Sequence, residues 1–428
     1  MVALPILTII IVAVAMVSFV LEKIPIAVTA IIAALLMAII GAIDLEEAYS
    51  PFGSTVTLFC AGMMVVGNAL FKTGFADFVA AKFEAIGLYR NERVLVTVVT
   101  AVAAVLSAFL SNSAVVAIFI PLVAIIANRS KGRVRMPLAI MGAGIGAAIG
   151  GIATLTGSTA QLVTQGILET TDGTEPMGIF TLTRIGGPLL VITVLYMATI
   201  GYRVGNKVLT FESPDLLAEH REPNSTESDK PARWKLPFSM LLMVAIIIGF
   251  VSGLWDIAVI ALIGAILMIV TGCISFKEAI RRMDWNTLII LSAAQAFGQG
   301  LTDSGGGQLI ADVIVNIFGE ASSPWLVLSV FIVVAAILTN FASNTALTAM
   351  FVPIVISVAI SFGADPTSWA IAVTLACNLA CGTPIGTACM TQTLVAGFRY
   401  MDYIKIGGPL VLILAAATAL LAPVAYPF

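Results

Sequence analysis

The chain has 428 residues, 60% of them hydrophobic and 11% charged, with a formal net charge of −3. A soluble globular protein carries roughly 45–50% apolar and about 25% charged residues, so a water-soluble fold is excluded and no nucleic-acid partner is expected. Nearly charge-free runs such as Leu4 to Val20 and Ile257 to Val270 approach spanning length, while strand-type alternation is absent, so the lipid membrane is the expected partner and a β-barrel is ruled out.

In chain order, the first apolar run, 3–21, has no basic segment ahead of it and no small-residue cleavage site, so it is expected to be retained as a span. Spans follow at 24–42 and 52–72, then a shorter amphipathic stretch at 75–88. Two apolar arms, 93–110 and 114–128, flank Ser111-Asn112-Ser113. A broken span at 135–170 and a span at 183–204 come next. Residues 205–236 hold most of the clustered charge and read as a linker. The second half repeats the order, with spans at 237–252, 255–274 and 285–303 and a short helix at 306–318. Arms at 323–341 and 346–362 flank Ser343-Asn344-Thr345, and a broken span at 367–398 and a last span at 403–425 complete it.

Three anchors mark the duplication. Leu45-Glu46-Glu47-Ala48 matches Phe276-Lys277-Glu278-Ala279, Asn112 matches Asn344, and Ile185-Gly186-Gly187-Pro188 matches Ile406-Gly407-Gly408-Pro409, all in the same order. A repeat of this length suits a duplicated transporter half, with units 1–204 and 237–428 joined by the linker. If each triplet is the tip of a re-entrant hairpin, each repeat crosses the bilayer five times and the second is inverted relative to the first. Every lysine and arginine except Arg184 then falls on one side, as the positive-inside rule requires. That side is the cytoplasm and holds the linker; both termini lie outside. Two full spans in place of either hairpin would leave the same charge pattern, so the argument for re-entrance rests on the composition of Ser107, Ser111, Asn112 and Ser113, which is odd for an extracellular turn.

Irregular backbone at membrane depth persists only inside protein or along a wet cavity. Two tips and two breaks meet that description, the breaks being Gly150 to Thr159 and Cys381 to Thr387. Half-helices ending there aim N–H groups and positive dipole ends at the midplane, while carbonyl, hydroxyl and amide oxygens suit a hard cation such as sodium. Neither the hairpins nor the breaks contain Asp, Glu, Lys or Arg, which favours sodium coupling or exchange over a proton relay.

The paired triplets, Thr383-Pro384 after the second, and the stretch from Asp284-Trp285-Asn286 through Thr302-Asp303-Ser304-Gly305 resemble the divalent anion:sodium symporter family over nearly the whole chain. The resemblance implies uptake of a dicarboxylate, a tricarboxylate or sulfate by an elevator mechanism. It further implies scaffold and transport parts, a homodimer, and placement in the cell (inner) membrane. Carried over residue by residue, a first sodium site uses Ser107, Ser111 and Asn112 with backbone near Ala153. A second uses Thr339, Ala342 and Asn344 with backbone near Gly382. A substrate carboxylate is placed against each triplet, Ser111-Asn112-Ser113 and Ser343-Asn344-Thr345, with Thr154, Thr383 and Pro384 nearby. The first triplet ends in Ser113 rather than Thr, and the first break reads Thr154-Leu155 where Thr-Pro is common. Moving a dianion inward against about 100 mV costs roughly 4.6 kcal/mol, which two sodium ions cancel. A sodium-independent exchanger or a sulfate transporter on the same fold is the alternative.

Other features read as structural. The five cysteines lie in apolar segments as small buried residues, and His220 sits alone in the linker. Trp285, Trp325 and Trp369 read as interfacial anchors, and Gln161, Gln165 and Gln392 either line the pathway or pack. An intramembrane enzyme is disfavoured, because no His-Glu-x-x-His pattern, paired intramembrane aspartates or Ser–His pair is present.

Overall fold

The computed structural model describes residues 3–21, 23–75, 78–79, 81–82, 91–130, 133–211, 232, 234–319 and 323–426. The amphipathic stretch read at 75–88 and the linker with His220 lie largely outside these residues. Among the described residues the chain is all helical.

The first repeat contains α1 (Ala3–Leu21), α2 (Ile26–Ile39), α3 (Leu45–Tyr49), α4 (Thr55–Lys72), α5 (Glu92–Ser107), α6 (Asn112–Arg129), α7 (Met136–Gly150), α8 (Thr159–Thr170), α9 (Thr183–Tyr196) and α10 (Tyr202–Val208). The second contains α11 (Lys235–Ser252), α12 (Ile257–Val270), α13 (Phe276–Arg281), α14 (Trp285–Asp303), α15 (Gly306–Phe318), α16 (Pro324–Leu338), α17 (Asn344–Ser361), α18 (Pro366–Cys377), α19 (Ala388–Gln392) and α20 (Tyr400–Ala425). Six continuous helical stretches among the described residues are long and apolar enough to cross a membrane.

Packing repeats as the sequence does. α5 and α6 lie against α7 in the first half, and α16 and α17 lie against α18 in the second. The repeats also interlock: α2 of the first packs on α14 of the second, and the matching pair, α12 and α4, packs in the same way. At the α4–α12 crossing Gly62 lets the backbones meet, since a Cβ there would lie 2.8 Å from the Ala261 carbonyl carbon. The two broken helices meet where α8 touches α17 and α18.

Four details differ from the sequence reading, each for a local reason. The third span is preceded by α3 and a 3₁₀ turn over Ser50–Gly53, because the Asp44 N–H is held by Glu47 Oε2 at 2.8 Å and Pro51 starts a new turn. The second broken span is short after its break, with α19 followed by a 3₁₀ turn over Thr393–Ala396. There Thr393 Oγ1 takes the Met390 carbonyl at 2.6 Å, and Gly397 at φ +90° ends the turn. α9 passes into a π-turn over Met197–Gly201, whose Ala198 carbonyl accepts from Arg93 Nε at 2.6 Å. Finally, Trp369 is no interfacial anchor: it is fully buried and stacked on Phe362, with ring centroids 6.4 Å apart. Trp285 and Trp325 are exposed on their outer faces.

The matched Gly-Gly-Pro segments seat the breaks. A Cβ on Gly186 would lie 2.5 Å from Ile152 O, and one on Gly407 would lie 1.9 Å from Cys381 O. Gly407→Ala is therefore expected to push α20 off the second break and cost about 1–3 kcal/mol. A clear drop in melting temperature is expected, whereas Gly53→Ala, which meets nothing within 4 Å, is expected to leave it unchanged.

Candidate functional site

Both triplets line one cavity of about 460 Å³. Ser111, Asn112 and Ser113 enter from the first tip and Ser343, Asn344 and Thr345 from the second. One wall is a stripe of α4, with Phe59, Cys60, Met63, Met64, Gly67, Asn68 and Phe71 on one helical face, and the mouth carries Arg282 and Asp284. Lys72 and Arg282, the latter 2.9 Å away, flank Glu278 beside this mouth, and the Lys72 contact holds the Glu278 carboxyl below the usual range.

The local sequence explains why the tips present bare helix starts. Several helices begin on a residue whose side chain takes the first free N–H groups. Ser54, Asn91, Asp256, Ser275, Asp284 and Asp365 all do so. Ser111 and Ser343 stand at the same position of α6 and α17, at φ/ψ of −61°/135° and −58°/129°, yet neither makes a side-chain cap bond. Two helix N-termini thus open on the cavity with their N–H groups uncapped, each carrying about half a positive charge.

Behind each tip lies a cluster of oxygens with too few protons. Ser107 Oγ is 2.6 Å from Asn112 Oδ1 and 2.8 Å from Ala147 O. In the second half Thr339 Oγ1 is 2.7 Å from Asn344 Oδ1 and also touches Cys377 O. Each cluster thus gathers a hydroxyl, an amide and a carbonyl oxygen around a single hydroxyl proton. Such an acceptor-rich, uncharged group is the donor set a hard cation prefers. No cluster of three His, Cys, Asp or Glu side chains suited to a metal occurs among the described residues.

The remaining expected residues lie around these clusters. Thr154 and Thr383 are buried beneath the tips rather than on the cavity wall. Their hydroxyls donate to the tip carbonyls of Ala108 and Asn340, which are matched positions. Pro384 is buried too, its carbonyl accepting from Thr391 at 2.6 Å. The Ala153 carbonyl is held by Thr183 Oγ1 at 2.5 Å, Ala342 is buried in the second turn, and the Gly382 N–H donates to Asn340 Oδ1 at 2.7 Å. The cavity wall is made instead by the next few residues of each break, Thr156 to Thr159 and Ile385 to Ala388.

Sequence reasoning missed the bonds that join the halves. Thr159 and Thr345 hydroxyls meet at 2.6 Å, Ser158 Oγ donates to Asn378 Oδ1 at 2.7 Å, and Thr164 pairs with Thr374 at 2.5 Å. The counterpart of Thr159 is Ala388, so the first triplet's Ser113 has no matching hydroxyl there. Asn340 was also missed, although aligning the repeats places it opposite Ala108 and so exposes it as an unmatched polar residue.

The citrate transporter profile (CitMHS) matches residues 16–374. The chain belongs to the citrate transporter family. This bears out the resemblance to the divalent anion:sodium symporters. An uncharacterized transporter of Methanocaldococcus jannaschii is 25% identical over 93% of this chain and 89% of its own length. The sodium-dependent dicarboxylate transporter SdcS of Staphylococcus saprophyticus is 23% identical over 86% of this chain and 75% of its own. Among solved structures, the Alcanivorax borkumensis YdaH transporter has the same fold, with a TM-score of 0.63 at 16% identity over 91% of this chain and 87% of that one. Neisseria gonorrhoeae MtrF likewise gives 0.63 at 14% identity, over 90% and 83%. This citrate transporter family member is thus a multi-pass membrane transporter and not an enzyme.

The Thr159–Thr345 bond gives a direct check on how the halves are joined. Thr345→Val keeps the shape and loses the hydroxyl, with an expected cost of about 1 kcal/mol. A lower melting temperature is expected for Thr345→Val, and a near wild-type value for Thr345→Ser.

Proposed function

We propose that this chain takes up a small divalent anion, a dicarboxylate such as succinate or malate, or citrate, coupled to sodium. The carrying observation is the pair of uncapped helix starts at Ser111 and Ser343, which share one cavity and each back onto an acceptor-rich oxygen cluster. A dianion fits this arrangement by charge. Two sodium ions balance its charge, and the two helix ends add about one positive charge together where the carboxylates sit. Each carboxylate is held by one tip, through backbone N–H groups and the side chains of Ser111-Asn112-Ser113 or Ser343-Asn344-Thr345. Each sodium ion is held by one cluster, Ser107 with Asn112 or Thr339 with Asn344, completed by backbone oxygens near Ala153 and Gly382. The printed name of the S. saprophyticus relative supports sodium and dicarboxylate, and the family description supports citrate.

In the orientation set by the positive residues, both termini are extracytoplasmic and the linker is cytoplasmic. The α4 wall of the cavity then runs toward Lys72 and Arg282, and this conformer faces the cytoplasm. The Ser158–Asn378, Thr164–Thr374 and Thr159–Thr345 bonds join the tips and breaks of both repeats into one body. The base of the first hairpin is fixed as well: Glu92 holds Arg135 at 3.0 Å and Tyr202 Oη at 3.1 Å. Such a body moves as a unit, which favours an elevator with α2, α4, α12 and α14 as the scaffold, working as a homodimer.

Asn112→Ala and Asn344→Ala are each expected to abolish sodium-dependent uptake in proteoliposomes while leaving a folded dimer. Wild-type rates in both would refute the assignment. Undiminished net uptake with choline in place of sodium would instead support exchange. Thermal stabilisation by citrate, succinate, malate or sulfate, each with and without sodium, is expected to identify the substrate by its requirement for both ions.

A further inference from the structure

The two oxygen clusters match atom for atom, but the chain holds them unequally. In the second repeat, Asn340 lies in the turn between α16 and α17, 6% exposed, and its side chain reaches across to the break. Oδ1 accepts from the Gly382 N–H at 2.7 Å. Nδ2 donates to Ala336 O at 2.7 Å and to Leu379 O at 3.3 Å, and the Asn340 carbonyl takes the Thr383 hydroxyl. One residue therefore fixes the hairpin turn to both sides of the break that follows Cys377. In the first repeat the matched residue is Ala108, which offers only its carbonyl, to the hydroxyls of Thr154 and Thr156. The first break has a different support, Gln161 Nε2 donating to Gly151 O at 3.0 Å, and that bond comes from α8, within the break's own helix pair, rather than from the hairpin.

We propose that Asn340 is a positioning residue that sets the second cation site, making it the stronger of the two and the first to fill. The inference rests on the sodium-coupled reading above. The second cluster draws its oxygens from both segments that Asn340 joins. Thr339 and Asn344 belong to the hairpin, and the Cys377 and break carbonyls belong to the other side. Their separation is fixed before an ion arrives, so binding there forfeits little freedom. At the first cluster no side chain clasps the break from the hairpin turn, which is joined to it through the Ala108 carbonyl, with Ser107 on Ala147 O beside it, so an ion there has more ordering left to do. Asn340 touches neither ion nor substrate; it acts through Gly382 and Leu379.

The test uses the purified full chain and sodium alone as the probe. Thermal stability is titrated with sodium chloride against choline chloride at constant ionic strength. Asn340→Ala removes the side-chain bonds to the Gly382 N–H and Leu379 O and is expected to raise the sodium concentration for half-maximal stabilisation about tenfold. Asn340→Asp keeps the acceptor for the Gly382 N–H but gives up the donor to Leu379 O, and is expected to fall between the wild type and the alanine variant. Asn340→Ser loses the reach and is expected to follow the alanine variant, so the pair of Asp and Ser variants carries the test if Asn340→Ala does not purify. In an Asn112→Ala background, which leaves only the second site, the Asn340→Ala shift is expected to persist. A variant that melts lower in choline yet responds to the same sodium concentration overturns the proposal, because the residue is then merely structural. If Asn340→Ala is silent while Asn344→Ala removes the sodium response, the proposal falls and the sodium-coupled reading stands. If Asn344→Ala and Asn112→Ala together leave the sodium response intact, the reading falls and the proposal with it.

Discussion

A helix that stops inside an apolar protein leaves backbone groups with no water to satisfy them, and this fold depends on how that demand is met. The chain stops helices in its interior four times, at two hairpin turns and two breaks. The freed carbonyls are met by hydroxyls: Thr154 and Thr383 reach Ala108 and Asn340 at matched positions, and Thr339 reaches Cys377. Glycines then let the neighbouring helices close over the irregular backbone, as Gly186 and Gly407 do against Ile152 and Cys381. Once these carbonyls are satisfied, the helix starts at Ser111 and Ser343 are left with donors to spare. The binding chemistry is what remains after the structural demand has been served.

Much of this was legible in the sequence because duplication makes a weak signal repeat. One Ser-Asn-Ser among apolar residues is ordinary; a second at the same distance from a proline and a Gly-Gly-Pro is a register mark. The order of helices, the positions of both turns and the placing of both triplets in one cavity followed from that. Residue roles within the breaks did not. Thr154 and Thr383 read as substrate contacts by position, but a hydroxyl's target depends on which carbonyl has lost its partner, and that is fixed only when the hairpin turn packs on the break. Trp369 misled for a similar reason. An aromatic near a span end is an interfacial anchor only if the span end is at the surface, and here α18 is buried on all sides.

The halves are equal in plan and unequal in detail. Thr345 bonds Thr159, whose counterpart Ala388 has no hydroxyl for Ser113, and Asn340 stands where Ala108 does. A perfectly symmetric site would treat both ends of its cargo alike. The differences make the two ends of the cavity chemically unlike along the line between the tips.

The interlock of α2 with α14 and of α4 with α12 bears on how the protein is made. The early helices of each repeat find much of their packing in the other repeat. A ribosome releases α2 and α4 long before α12 and α14 exist. Through that interval the faces that meet the second repeat have no partner. Assembly is thus post-translational in character even though insertion is not.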